Sequence, residues 1–266
     1  MRQQTVYILS SMELQPYDVL ILSDLHLGSK TSKPCDALQV LKNLQFHRLI
    51  LLGDIFSDLN FARLNKEHWR FLSYIRKLSN PKRDIDVVWI EGNHDYGLTD
   101  VMSHLVGIPV YQEYFWVANG VGHLAIHGHQ FDRLIFKNKL FINRLIVSLH
   151  LSVQKLEPKG LYLSRMLDNL AGARWQRQTS RVAQKALIYA KSRGAVRVFC
   201  GHTHEPTIQI DYKMEYYNAG SWTCNRPTYI TVRGQEIKIH EYTERIDNCH
   251  PGKKRRNLTA PAVGFA

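Results

Sequence analysis

The chain has little cysteine: four residues in 266, at positions 35, 200, 224 and 249, with no CxxC pair. That argues against a closed Cys-type structural zinc site, and suits free thiols in a reducing compartment better than a disulfide framework. No stretch approaches 18 or so uninterrupted apolar residues, so no transmembrane helix is expected. The N-terminus, MRQQTVYILSSMELQP, has neither a long apolar core nor an obvious cleavage site, so no secretory signal is expected and the reading is cytoplasmic. Acidic residues are outnumbered, 23 against 35 Lys and Arg, for a net charge of +12.

The basic excess is local. Residues 131–193 carry a net charge of +10 and residues 245–266 carry +4, which leaves the rest of the chain at about −2. A patch of that kind suggests an anionic partner: phosphate, nucleic acid or an acidic membrane surface. A solvated helical face would account for the charge as well. The length allows one large α/β domain with a sizeable core. The expected layout is a single domain over 1–266, a basic helical insertion or cap at 131–193, and a basic mobile tail at 245–266.

What the chain has in quantity is histidine, 13 residues, several beside glycine or aspartate. Apolar runs predict strands at 17–23, 48–52, 86–91, 121–126 and 196–200, then short alternating strands at 207–210, 215–218, 228–232 and 236–242. Helices are predicted over 37–44 and 61–78, the second stopped by Asn80-Pro81. Five of these strands end in polar residues: DLHLG, GD, GNHD, HGH and GHTH. In α/β sheets, ligands bind at the carboxyl ends of strands.

The residues at those ends are Asp24 and His26, then Asp54, then Asn93 and His94, then His127, then His202 and His204. Carboxylate, amide oxygen and imidazole together suit manganese, iron or zinc. Each motif alone has a bland reading. DLH is commonly a turn, an Asp after a strand is often a helix cap, and GHTH can be a surface pair. All five in this order, each closing an apolar run, are not a chance arrangement.

In that order the motifs resemble those of the calcineurin-like metallophosphoesterases: D-x-H, G-D, G-N-H-[DE], a histidine-glycine step and G-H-x-H. The resemblance implies a four-layer αββα sandwich and two adjacent divalent metals, with manganese favoured and iron or zinc possible. By position, Asp24, His26 and His204 would hold one metal, and Asn93, His127 and His202 the other. Asp54 would bridge them. A shared carboxylate eases the repulsion between two cations roughly 3.5–4 Å apart, and the pair lowers the pKa of a bridging water. His94 would give a proton or hydrogen bond to the leaving oxygen, with Asp95 orienting it or capping the next segment. His129 has no assigned role.

The motifs do not separate phosphomonoesters, diesters and pyrophosphates. SDLHLG, HGHQFD and GHTHEP, with a basic segment between the last two, look like the UDP-2,3-diacylglucosamine pyrophosphatases of lipid A biosynthesis. That branch implies pyrophosphate hydrolysis by a peripheral protein at the inner face of a membrane. The branch often has Arg after the motif Asn; this chain has His94. Arg174, Arg177 and Arg181 share one helical face and suit phosphate oxygens, and Asp132 could reach a substrate hydroxyl or cap a helix. Two alternatives stand beside this reading. A phosphodiesterase or nuclease could use the basic segment on a nucleic-acid backbone, although its aromatics are few and scattered. A non-catalytic scaffold could keep the fold, although every motif residue is present.

Overall fold

The structure, a computed structural model, describes residues 15–97, 107–132 and 161–243, with side chains in the last stretch from residue 176 onward. The expected tail, residues 133–160 of the basic segment and the Arg174 side chain lie outside the described residues.

The apolar runs form β1 (Tyr17–Leu22), β2 (Phe46–Leu52) and β3 (Asp86–Ile90), paired in parallel, with β4 (Val110–Tyr111) beside β3. After each of β1 and β2 a helix runs back across the sheet: α1 (Pro34–Asn43) and α2 (Lys66–Leu78). A second sheet contains β5 (Glu113–Ala118), β6 (Val121–Ile126), β7 (Arg197–Cys200), β8 (Thr207–Asp211) and β9 (Met214–Asn218). The chain then returns to the first sheet as β10 (Thr228–Arg233) and β11 (Glu236–Glu241). The two orders are β11-β10-β1-β2-β3-β4 and β5-β6-β7-β9-β8.

Alternation along the strands builds the layers. In β1 and β2, Leu20, Leu22, Leu49 and Leu51 face α1 and α2, where Ala37, Leu41, Phe71 and Ile75 meet them. The alternate residues Val19, Ile21, Ile50 and Leu52 face the second sheet and pack against Trp116, Ala125, Phe199 and Tyr217. Both faces of these strands are covered, so they are apolar without interruption. On the far side of the second sheet, Leu124, Ile126, Val198 and Tyr216 pack against Ala183, Ala186, Leu187 and Ala190. Those residues belong to α3 (Leu161–Ser192), whose alanines let it lie close to the sheet. The order is helix, sheet, sheet, helix, the expected four-layer αββα sandwich. The C-terminal part of the 131–193 segment is therefore the outer layer of the sandwich itself.

Local features differ from the sequence expectation, among them the two-residue strand β4, which no apolar run marks. The helix expected over 61–78 begins only at Lys66, after a separate 3-10 turn at Phe61–Arg63. Asn65 interrupts it: its side chain accepts from the amides of Glu67 and His68, and the His68 ring accepts from the Asn65 amide. This reciprocal cap outweighs the helical periodicity. Strand β5 was not expected. Its EYFWVA sequence leaves Phe115 and Val117 45% and 62% exposed at a sheet edge, so it lacks the apolar-polar alternation that reveals a strand.

The centre of the intersheet core is an aromatic stack in which Phe199, fully buried, lies parallel to Trp116, His123 and Tyr217. Phe199→Ala is expected to destabilise the fold by about 3–5 kcal/mol, read from the urea midpoint of unfolding. A loss below about 1 kcal/mol would mean that this stack is not central to the core.

Candidate metal centre

Five parallel strands, three in one sheet and two in the other, bring their carboxyl ends to one edge of the sandwich. There the chain turns sharply. Among the described residues eight non-glycines have positive φ, and five of them are Asp24, His26, Asp54, His202 and His204, at 48° to 64°. Left-handed backbone costs a non-glycine residue of the order of 1 kcal/mol, and such outliers concentrate at functional sites. The turns are pinned by backbone bonds between them: Asp24 N to Gly53 O, His26 N to Asp54 O, and Gly201 N to His127 O, at 2.9–3.1 Å. Space is equally tight. Gly53, with φ 77°, faces the His127 ring, and a Cβ there would overlap it. A Cβ at Gly201 would strike Ser23 Oγ and the Asp24 carboxylate.

Both carboxylates use one oxygen to hold the scaffold and turn the other inward. Asp24 Oδ2 accepts from the His202 amide at 3.0 Å and lies 2.5 Å from Ser23 Oγ. Asp54 Oδ1 accepts from the His94 amide at 2.8 Å. The inward oxygens meet imidazoles. His204 Nε2 is 3.0 Å from Asp24 Oδ1, and His127 Nε2 is 3.3 Å from Asp54 Oδ2. His26 Nε2 lies 3.7 Å from Asp24 Oδ1, 3.9 Å from Asp54 Oδ2 and 3.2 Å from His204 Nε2. Among the described residues, three sets have ligand atoms close enough for one cation: Asp24, His26 and His204; His26, Asp54 and His94; and Asp54, His127 and His202. Asp54 belongs to two of them.

The hydrogen bonds decide which atoms are free. His127 Nδ1 lies 2.9 Å from the Leu52 carbonyl and donates its hydrogen there, so Nε2 is the nitrogen turned toward Asp54. Asn93 Oδ1 is buried with no hydrogen-bond partner, and the equally buried Asp24 Oδ1 and His127 Nε2 meet only an ionisable neighbour, outside hydrogen-bond geometry. An unsatisfied buried polar atom costs about 1–3 kcal/mol, so several in one place need an explanation. Acceptor atoms crowded about 3 Å apart are the arrangement of ligands around a small cation. The residues present therefore fit a divalent metal.

Electrostatics point the same way. Burial opposes ionisation of Asp24, but the imidazoles of His204 and His26 hold it well below the usual carboxylate range. Burial also opposes ionisation of Asp54, yet His127 brings it down to about 2. Burial depresses His127, and the charge of Asp54 overrides it and raises the imidazole to about 10. Without a metal, a proton on His127 supplies the positive charge that the two buried carboxylates require.

The remaining sequence expectations divide. His94 is at the site: its ring packs edge-on against His26 with centroids 4.9 Å apart, and its Nδ1 meets the Ser57 carbonyl at 2.8 Å. Asp95 does not orient the His94 ring. Its buried carboxylate accepts instead from the amides of Gly92, Ile55 and Asp54, and ties two motif loops together. Burial and the nearby Asp54 push Asp95 up to about 6. Asp132 does not open toward a substrate: it is buried, and its carboxylate faces His202. Arg177 and Arg181 are exposed along a groove shared with Gln176, Ser180 and Gln184, and no residue of the histidine cluster lines it. His129 lies beside His127 and His202, with ring centroids 5.5 and 6.4 Å away. Burial and those two rings lower its pKa to about 4.

Residues outside the motifs complete the frame. Asn218 at the end of β9 donates to Gly201 O and Thr203 Oγ1 and accepts from the Gly220 amide, which fixes the turn carrying His202. Ser221 Oγ donates to the carbonyl of Asp24. The signal was present in YYNAGSW, a sixth apolar run ending in a polar residue and glycine.

The chain matches the family model described as the calcineurin-like phosphoesterase superfamily domain over residues 18–236. No curated protein matches its sequence. Among solved structures, it is similar to a novel archaeal phosphodiesterase at 15% identity and a TM-score of 0.47, covering 84% of this chain and 98% of that one. Vacuolar Protein Sorting 29 from Cryptosporidium parvum aligns at 12% identity and 0.48, over 87% and 94% of the two chains. Yfce, a phosphoesterase from E. coli, aligns at 13% and 0.44, over 85% and 99%.

The raised pKa of His127 has a measurable consequence. Its folded value of about 10 lies above the ordinary 6.5, so in the metal-free protein its contribution to stability is complete below pH 6.5 and is lost as pH rises through 10. A metal can bind Nε2 only after that proton leaves. Uptake of Mn2+ at pH 7 is therefore expected to release about one proton at this residue and to tighten as pH rises toward 9. Calorimetry in two buffers of different ionisation heat measures the release. Uptake without proton release would contradict the assigned charge of His127.

Proposed function

The chain belongs to the calcineurin-like phosphoesterase superfamily, and on that footing we propose that it is a hydrolase using two divalent metals to cleave a phosphoester or pyrophosphate bond. The observation that carries this reading is the position of Asp54, whose inward oxygen lies between the two histidine groups, 3.9 Å from His26 Nε2 and 3.3 Å from His127 Nε2. Asp24, His26 and His204 would hold one metal, and Asn93, His127 and His202 the other. A metal pair supplies hydroxide near neutral pH and positive charge for the phosphoryl oxygens. Manganese is the metal proposed for the first tests; the donor set also accommodates iron or zinc.

The rest of the chemistry belongs to the side chains. His94 Nε2 is 4.0 Å from Asp54 Oδ2, on the same side as the cluster, and the side chain is 47% exposed. Its Nδ1 hydrogen is donated to Ser57 O, which holds the ring with Nε2 toward an incoming phosphate. From there a protonated His94 gives its Nε2 proton to the leaving oxygen. Asp95, by clasping three amides, keeps Asp54 and Asn93 in register and handles no proton from substrate.

The finer reading is that the substrate is the pyrophosphate of UDP-2,3-diacylglucosamine or a similar lipid-linked nucleotide sugar. It rests on the phrases SDLHLG, HGHQFD and GHTHEP and on the basic segment after His127. Arg177 and Arg181 would serve it by meeting anionic oxygens or an acidic membrane surface, a peripheral placement. No helix among the described residues is long and apolar enough to cross a membrane.

Mn2+-loaded protein should hydrolyse at least one of four substrates: UDP-2,3-diacylglucosamine, bis-p-nitrophenyl phosphate, p-nitrophenyl phosphate and single-stranded DNA. His94→Ala should lower kcat by about 10²–10⁴ while metal content stays unchanged. Release of UMP from the lipid substrate supports the finer reading, and turnover of the generic diester alone discards it. A fully loaded protein that cleaves none of the four would mark a non-catalytic scaffold.

A further inference from the structure

We propose that Asp132 and Gln178 are a positioning pair for His202, and that they join the long helix α3 to the metal centre. The proposal rests on the two-metal reading of the site. Gly128, with φ 106°, turns the chain after β6 into a short 3-10 turn at His129–Phe131 that ends at Asp132. Helix α3 clasps this turn at two points. Lys185 Nζ donates to Phe131 O at 2.9 Å, and Gln178 Nε2 donates to Asp132 Oδ2 at 2.5 Å. The carboxylate so held is only 3% exposed, and the same oxygen lies 3.2 Å from His202 Nε2.

A carboxylate can only accept here, so His202 presents Nε2–H outward. Its lone pair is then on Nδ1. His127 has the opposite arrangement, with Nδ1–H on Leu52 O, so that Nε2 is the nitrogen available to a metal once its proton has left. The two histidines of one ligand set therefore offer different nitrogens, each chosen by a partner on the far side of the ring. A hydrogen bond at the far nitrogen fixes tautomer and orientation and strengthens the ring as a ligand. Leu52 O is a backbone group of the first sheet. Asp132 is a side chain whose own position depends on α3 through Gln178, so the orientation of α3 and the aim of His202 are linked.

Calorimetric titration of Mn2+ into metal-stripped full-length protein tests this, with circular dichroism reporting the thermal midpoint of the metal-free forms. Asp132→Ala should weaken one of two sites by about 10–100-fold and leave the other nearly unchanged. Asp132→Asn, whose amide oxygen still accepts from Nε2–H, should recover most of that loss, and Gln178→Ala should fall between. Nitrogen-15 NMR of the metal-free wild type should show the His202 ring as the Nε2–H tautomer, a readout that does not require the alanine variant to fold. Asp132→Ala with two wild-type affinities, equal weakening of both sites, or an Nδ1–H tautomer would each overturn the proposal. Wild-type protein binding fewer than two Mn2+ would overturn the two-metal reading beneath it.

Discussion

Two carboxylates, Asp24 and Asp54, are buried side by side at the edge of two sheets. Removing such charges from water is costly unless each is compensated in place. Asp24 is completely covered and Asp54 nearly so, yet both are held ionised. The surrounding architecture follows from that constraint. An amide from another motif steadies one oxygen of each, a positive-φ turn aims it, and the second oxygen is left toward a ring of imidazoles. Without a metal, a proton on His127 carries the compensating charge; a bound cation would take the place of that proton.

The constraint also explains why the site spans both sheets. Asp24, Asp54 and Asn93 come from one sheet, and His127, His202 and His204 from the other. Direct bonds cross the interface: His127 Nδ1 to Leu52 O, and the His202 amide to Asp24 Oδ2. Intersheet packing of Ile21, Ile50, Ala125 and Phe199 lies beneath those bonds and sets the separation they need. Core and centre are therefore one mechanical unit. A shift of one sheet would misplace candidate ligands contributed by the other.

Much of this was legible in the sequence because the signals were local. Strands buried on both faces announce themselves as apolar runs, and polar residues directly after them mark an edge where ligands gather. Those two facts recovered β1, β2, β3, β6 and β7 and the residues that meet there. Pairings across the chain were less legible. Nothing in HGHQFD says that Asp132 will turn inward to His202, because that depends on Gln178 some 46 positions later. Asp95 looked like a partner for its neighbour His94, but it is drawn to three unpaired amides that only the folded loops bring together. Helix α2 starts late because Asn65 and His68 cap each other, a local device that hydrophobic periodicity does not register. Strand β5 escaped notice because its outer face keeps aromatic and aliphatic side chains in contact with water.

Counting metals tests the central claim most directly. Protein stripped of metal, reloaded with Mn2+, freed of excess ion and assayed by mass spectrometry for metal per chain should contain two. Asp54→Asn, which keeps the shape of the side chain but removes the shared charge, should retain one at most. A wild-type content of one, or two metals retained in the variant, would contradict a centre built around a bridging Asp54.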